Sequence, residues 1–546
     1  MIREYHPLKI QTAASSVLLI AVPFFVVYSY LFLTDSIADR PQNPYGYTIH
    51  KASINTVFVP PGSLADALIP GSVYAPPIQA EGYAYIGVVT LFVLTGFFLW
   101  CICLQIWKKE NTAWNNLPPL LMYYLLAGIC ILLFAMAWPF VWGLEDWLEK
   151  IPFIRQFRSP GRFAWVFYFI STVCAAVIIY HLFDYLHVRR KVFAWFFLVC
   201  IASVGIYESA TYFFSMAKKY DNDPVPNSFT AKNGNAFTSL NTIDLKGYQA
   251  ILYVPFFMQG SEKFYIDRSG NEISTAMAIA YQSKLPLINS MMSRTSFSQT
   301  VSLISLLSHP LLQKIVPGEL NDKPLLLVTS NNNLSAAEKY LVNNAQLIES
   351  SGDLQFYTLP ISVFSTAQSM LTQGYLQFIE KMFADSTARY FAELPLQLFY
   401  TADFEDYHTG KAFTGNGAFV HTGGGIFLDE IILPAHETFW IEVSFWTSLE
   451  NANTAYPSIT IEFLLADGTT MAAHGVHPKE STDIEAGWIR ASGNFEVRSD
   501  IRRLRIFVDK NPEITFDALV IRHTAADVFY YSPENLLMEN NYKVGK

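Results

Sequence analysis

Charge is what this sequence has least of. Asp, Glu, Lys and Arg make up 15% of its 546 residues, against 51% hydrophobic residues, and the mean hydropathy is +0.24. That balance excludes an ordinary soluble chain and points to a membrane class. Cysteine is scarce too. Cys101, Cys103, Cys130, Cys174 and Cys200 all fall inside apolar runs, and residues 216–546 contain none. A disulfide framework or a zinc–thiolate site is therefore excluded from the second half. Positive charge is also short there: 24 Lys+Arg against 35 Asp+Glu, compared with 13 against 11 in residues 1–215. An acidic soluble part excludes nucleic acid as a natural partner.

Long apolar runs are what the first part does have, and residues 1–215 read as a transmembrane helical domain of about five spans. The first, Thr12–Thr34, is too long for a signal-peptide core and lacks a small-residue cleavage site, so it reads as an uncleaved span. The others are Glu81–Trp107, Leu117–Gly143, Phe163–Leu186 and Val192–Phe214. Arg3 and Lys9, Lys108 and Lys109, and Arg189–Lys191 alternate in the order that puts them all in the cytoplasm. Five spans then leave the C-terminal domains extracytoplasmic. His181, Asp184 and Glu208 lie near span ends, where snorkelling or a functional role both account for an ionisable group.

The stretch Ile151–Phe163 breaks the charge rule. Arg155, Arg158 and Arg162 recur at helical spacing on the outer side, where arginine clusters are disfavoured. If helical, they share one face, although Pro160 and Gly161 end the helix before the third. Such a patch at a bilayer surface suits an anionic headgroup or a lipid-linked phosphate. An interfacial amphipathic helix touching phospholipid gives the same pattern, and Glu145, Asp146 and Glu149 lie upstream as exposed pairing partners of modest benefit.

Beyond the Asn-, Pro- and Asp-rich linker Asp221–Asn235, residues 236–365 alternate short buried strands (Ala250–Pro255, Pro324–Thr329, Leu354–Leu359) with helices (Ala276–Ser283, Thr300–Leu307). A third helix opens at the capping box Ser335–Glu338. This is a small α/β domain with no Gly-rich phosphate loop and no nucleophile elbow. Residues 366–390 read as a connecting helix. Residues 396–524 read as an all-β sandwich with strands at Phe399–Glu405, Thr438–Thr447, Pro457–Ala466, Gly487–Val497, Arg502–Asp509 and Ile514–His523. Along the second of these, Phe439, Ile441, Val443 and Phe445 fall on one face, the core. Trp440, Glu442, Ser444 and Trp446 fall on the other. Two indoles flanking a carboxylate suit a sugar ring. They suit equally well a tryptophan pair packed under a loop or a neighbouring domain. The fold class is thus a multidomain membrane protein: helical bundle, small extracytoplasmic α/β domain, jelly-roll sandwich.

Two resemblances follow. Asp403-Phe-Glu405, Gly487-Trp-Ile-Arg490 and Ile514-Thr-Phe-Asp517 give residues 396–524 a resemblance to carbohydrate-binding modules with a galactose-binding-like jelly roll. That resemblance implies a structural Ca2+ between the first and last strands, with Glu405 and Asp517 as ligands and backbone carbonyls completing the shell. Val57-Phe-Val-Pro60, Glu81-Gly-Tyr-Ala-Tyr85-Ile-Gly87 and Phe157-Arg-Ser-Pro-Gly-Arg162-Phe163 give residues 50–360 a resemblance to the C-terminal portion of bacterial YfhO-like polytopic proteins. These look like relatives of the GT-C glycosyltransferases, which use polyprenyl-phosphate sugars. The resemblance implies a bacterial inner-membrane protein in surface-glycan assembly. Arg155, Arg158 and Arg162 would hold the carrier phosphate, with Glu81 and Tyr85 at the cavity mouth. The GT-C pattern places a catalytic acid in the first outer loop, and Asp35, Asp39 and Asp66 form no acidic pair there. The chain therefore looks like the back half of such an enzyme, inactive without a second multispanning protein or a missing N-terminal half. The alternative is a non-enzymatic, membrane-anchored glycan-binding or scaffolding protein.

Overall fold

Uncharged runs of this length form helices, because a backbone surrounded by lipid must satisfy its own polar groups. The computed structural model describes residues 10–37, 39–40, 46–68, 80–106, 120–221, 240, 242–259, 264–268, 270–292, 295–315, 320–330, 333–364, 382–384, 390–393, 398–407, 410–421, 425–434, 438–450, 459–508, 514–525 and 527–544. In the first part the helices are α1 (Ile10–Thr34), the short α2 (Ile54–Val57) and α3 (Leu64–Leu68), α4 (Val88–Ile106) and α5 (Leu120–Ala135). The one-turn helices α6 (Asp146–Lys150) and α7 (Pro152–Arg155) follow, then α8 (Ala164–Arg189) and α9 (Lys191–Asp221). Of these, α1, α8 and α9 are long and apolar enough to cross a membrane, while α4 and α5 are shorter apolar helices. Helix α8 packs against α4, α5 and α9. The buried stripe of α5, Leu121, Leu125, Gly128, Leu132 and Ala135, steps by four and three, as one face of a helix must. Gly128 lets α8 come close: a Cβ there would sit 3.2 Å from Ile170.

Two helices end short of their apolar runs. The second begins at Val88 rather than Glu81, because Gly87 takes a left-handed φ of +82°. The residues before it run extended, with Ala84 N and Ile86 N donating to Thr56 O and Val57 O. The third ends at Ala135, four residues ahead of Pro139, which supplies no amide to a helix. Apolar residues in Glu81–Gly87 and Met136–Gly143 thus belong to surface loops that pack on one another rather than to spans.

The α/β unit is a four-stranded sheet in the order β1-β4-β6-β5: β1 (Ile251–Val254), β4 (Leu325–Thr329), β5 (Gln346–Ser351) and β6 (Leu354–Leu359). Strand β1 runs parallel to β4, and β5–β6 is a hairpin turned at Gly352. A small parallel pair, β2 (Met258–Gln259) and β3 (Ser290–Met291), lies beside it. Its helices are α10 (Gly270–Ser283), α11 (Phe297–Ser305) and α12 (Ala336–Asn343). The capping box forms: Glu338 N donates to Ser335 Oγ and Ser335 N to Glu338 Oε2. Glu338 is buried and also accepts from Phe256 N at 2.6 Å. Strand β5 was not expected from the sequence.

One sheet of the sandwich holds β10 (Phe419–His421), β18 (Ile514–His523), β12 (Phe439–Ser448), β16 (Trp488–Val497) and β15 (Ile484–Glu485), with β9 (Phe399–Ala402) also on β18. The other holds β11 (Gly425–Ile432), β17 (Arg503–Val508), β13 (Ile459–Leu464) and β14 (Thr470–Val476). Phe439, Ile441, Val443 and Phe445 fill the core between them. A third sheet of short strands was not expected. It comprises β7 (Phe383–Ala384), β8 (Phe391–Ala392), β19 (Val528–Tyr531), β20 (Leu537–Glu539) and β21 (Tyr542–Lys543), and it covers the outer face of β12. The connecting helix expected over 366–390 falls mostly outside the described residues, and its described part, β7, is strand. Leu449, Ile484 and Ile489 of the sandwich share one core with Leu252, Val254 and Leu327 of the α/β unit.

Candidate functional site

Three segments cross at one end of the apolar helices: His50–Ala52, Glu81–Gly82 and the 3-10 turn Pro160–Phe163. Gly161 N donates to His50 O at 3.0 Å, and Ala52 N to Ala135 O at 2.9 Å. A Cβ on Gly161 would lie 2.8 Å from both Gly82 Cα and His50 O, and one on Gly82 would lie 2.6 Å from Lys51 O. Only glycine allows backbones this close. The crossing fixes the arginine loop. Arg155 ends α7 with Nη1 3.9 Å from Glu149 Oε1, an exposed pair worth little. Arg158 is half-buried and Arg162 is exposed. The three do not share a helical face, because the chain leaves α7 before Arg158 and re-enters a different turn at Pro160.

The remaining polar groups are placed with more commitment than the sequence implied. Glu81 Oε2 lies 3.7 Å from His50 Nδ1, and no local pattern marks His50 in the sequence. Tyr85 OH donates to Glu208 Oε1 at 2.6 Å, and Val88 N to Oε2 at 3.0 Å. Glu208 therefore caps the N-terminus of α4 from α9, where negative charge is favoured. Tyr85 thereby ties the entry of α4 to Glu208 of α9. Asp35 pairs with Arg40, and Asp66 accepts from Gly62 N. Asp39 caps α11 of the α/β unit, accepting from Ser298 N at 2.6 Å and Ser298 Oγ at 3.1 Å. The first loop thus touches both the helices and the α/β unit.

On the sandwich, the expected aromatic pair is split. Trp440 is 50% exposed, but Trp446 is fully buried. The side chains of β12 still alternate, Phe445 into the sandwich core and Trp446 to the opposite face, and the third sheet closes over the indole. Its Nε1 donates to Asn541 O at 2.7 Å, and Phe413 stacks on it at 4.0 Å. Glu442 is also buried and sits between two guanidinium groups, Arg490 and Arg522 (Oε2 at 2.6 Å from the latter). It is an ion triad, not a contact open to a sugar. Burial alone would raise its pKa, but the two arginines outweigh that and hold it below the usual carboxylate value.

Glu405 and Asp517 are likewise already occupied. Asp517 Oδ2 accepts from Phe413 N and Thr414 N at 2.6 and 2.9 Å, and Oδ1 accepts from Ala518 N at 2.6 Å. Glu405 accepts from Asn416 N and Gly417 N. Calcium takes roughly six to eight oxygens. Among the described residues no third acidic, His or Cys side chain joins the two to form a metal cluster. The donor set does not fit the implied ion, because backbone amides hold the lone pairs it needs. Burial pushes Asp517 up to about 7, the three amides oppose the rise and the Glu405 charge adds to it. A carboxyl raised in this way contributes stability fully below its unfolded value and loses it as the pH rises through about 7. Melting temperatures of the full chain in detergent test both points. Asp517→Asn should remove that pH dependence between about pH 4 and pH 7, while added calcium or a chelator leaves the wild-type midpoint unchanged. A calcium-dependent rise would restore the metal.

No sequence pattern marks the polar junction between the α/β unit, the sandwich and the third sheet. Asp483 accepts from His309 N at 2.7 Å and from Tyr542 OH at 2.6 Å. The Tyr542 ring stacks on His309 at 4.2 Å and lies 4.4 Å from the Arg490 guanidinium. Ser308 Oγ donates to Thr482 O. Burial pulls His309 down to about 4 and Lys314 down to about 7. Partners such as Asp483 and His309, 174 residues apart in sequence, leave no local pattern to read.

Residues 2–207 match the model of a domain of unknown function, DUF6311. No curated protein matches the chain. Among solved structures, the CBM22-1 xylan-binding domain of Paenibacillus barcinonensis Xyn10C is 17% identical. The match covers 24% of this chain and 94% of that one at a TM-score of 0.17. A family 16 carbohydrate-binding module is 11% identical, over 22% of this chain and 84% of that one, at 0.16. The C-terminal family 22 module of Clostridium thermocellum Xyn10B is 12% identical, over 26% and 91%, at 0.15.

Proposed function

We propose that this chain is a membrane component of surface-glycan assembly that receives a lipid-linked phosphate at the outer face of the bilayer. The observation that carries the reading is the arginine turn. Arg155, Arg158 and Arg162 ride on a loop pinned by Gly161 to His50, at the end of the helices where the first loop also meets the ectodomain. A cationic loop held by backbone contacts is preorganised for a phosphate, and guanidinium groups suit that geometry. Its N-terminus is cytoplasmic in this reading, and both ectodomain units face outward. Among the described residues Asp35 pairs with Arg40, Asp39 caps α11 and Asp66 accepts from Gly62 N, and in this reading the chain transfers no sugar by itself.

The test uses the full chain in nanodiscs, with a polyprenyl monophosphate as ligand and the uncharged polyprenol as control. The phosphate should bind and the alcohol should not. Replacing Arg155, Arg158 and Arg162 together by Gln should abolish the difference, and Gly161→Ala, which forces the crossing apart, should weaken it several-fold. Equal binding of phosphate and alcohol would sink this reading. The anchored glycan-binding ectodomain would then stand, and Trp440→Ala on a glycan array would test it.

A further inference from the structure

The opposite end of the bundle carries its own cationic site. Where α8 turns into α9, His187, Arg189, Arg190 and Lys191 fall within five residues. Arg189 is engaged within its own helix: Nη1 hydrogen-bonds the Tyr185 hydroxyl, and the guanidinium lies 4.2 Å from that ring's centroid. Arg190 and Lys191 form no side-chain ion pair with the described residues. Together they edge a groove of about 500 Å³ whose other lining is Val192, Phe193 and Phe196. All three of those side chains are more than half exposed. Behind them the Phe183 ring stacks on His187 at 5.4 Å and meets Trp195 at 5.3 Å, the aromatic packing expected at a membrane–water boundary.

We infer that this groove binds an anionic phospholipid. Two unpaired cations above an apolar floor, at the end of two membrane-length helices, match a headgroup phosphate continued by an acyl chain. The volume lies in the range of roughly 300–1,000 Å³ typical of small-molecule sites. A free phosphate would leave Val192, Phe193 and Phe196 uncovered, and a zwitterionic lipid would bring its own ammonium to a patch that already carries two cations. The site is separate from the arginine loop and does not rest on the function proposed for it.

Native mass spectrometry of the full chain, delipidated and then offered phosphatidylglycerol or phosphatidylcholine, tests the site. Measuring in the background lacking Arg155, Arg158 and Arg162 keeps the other end from contributing. Phosphatidylglycerol should be retained in preference. The R190Q/K191Q double variant should lose roughly 25-fold in affinity, at about 1 kcal/mol for each cation near an anionic surface. R189Q, whose guanidinium is engaged by Tyr185, should retain the lipid. Equal retention of the two lipids, or undiminished phosphatidylglycerol on the double variant, would overturn the assignment.

Discussion

Glu442→Ala should lower the stability of the sandwich by about 3–5 kcal/mol, because it removes the carboxylate shared by two buried guanidinium groups and leaves Arg522 with the more distant Asp527 at 3.9 Å. Arg490 is 4% exposed and Arg522 8%, so neither can turn to water without opening the sheet. Arg490 would keep Asn540 O and Tyr542 OH, which satisfy hydrogen bonds but carry no compensating charge. A loss of that size moves the melting temperature of a unit this large by roughly 10 °C, read by scanning the full chain in detergent. Glu442→Gln keeps the volume and one acceptor and should fall between. The effect has a pH signature. Because the arginines hold Glu442 below its ordinary pKa, its stabilisation is present above the unfolded value and is lost as pH falls through the lowered one. Wild type and Glu442→Ala should therefore converge in acid. A neutral-pH shift under about 2 °C would mean the triad is solvated.

How much of this was legible in the sequence depends on how local each cause is. Apolar runs announced the helices, since a span needs only its own residues. Their ends were misplaced where apolar residues pack into surface loops, at Glu81–Gly87 and before Gly143, because hydropathy does not tell lipid from protein. Alternation revealed the long strands, and the core face of β12 was read from period two alone. What covers the other face was not readable. The strands of the third sheet run only two to four residues, too short for any period. The charge of the arginine loop was visible, but its anchor was not. Gly161 matters because of Gly82 and His50, which only the fold brings together. Asp39 reads in the sequence as a first-loop acid with no paired neighbour, and in the fold it caps a helix 259 positions away.

Trp446→Ala decides what the indole of β12 is for. As the structure has it, the ring fills the space between the sandwich and the third sheet, stacked on Phe413 with Tyr542 edge-on at 6.4 Å. Truncation removes that contact, leaves a cavity and orphans Asn541 O, for a cost of about 3–5 kcal/mol. Trp446→Phe separates the two parts, since it keeps most of the ring volume and loses the Nε1 hydrogen bond at about 1 kcal/mol. Trp440→Ala, at a half-exposed position, should move the midpoint little. The order Ala, then Phe, then Trp440→Ala follows from burial alone. A Trp446→Ala protein that melts like wild type but binds glycan more weakly would reverse it, because a ring that contributes nothing to the fold must be open to solvent. The third sheet would then be a removable cover over β12 rather than part of its core.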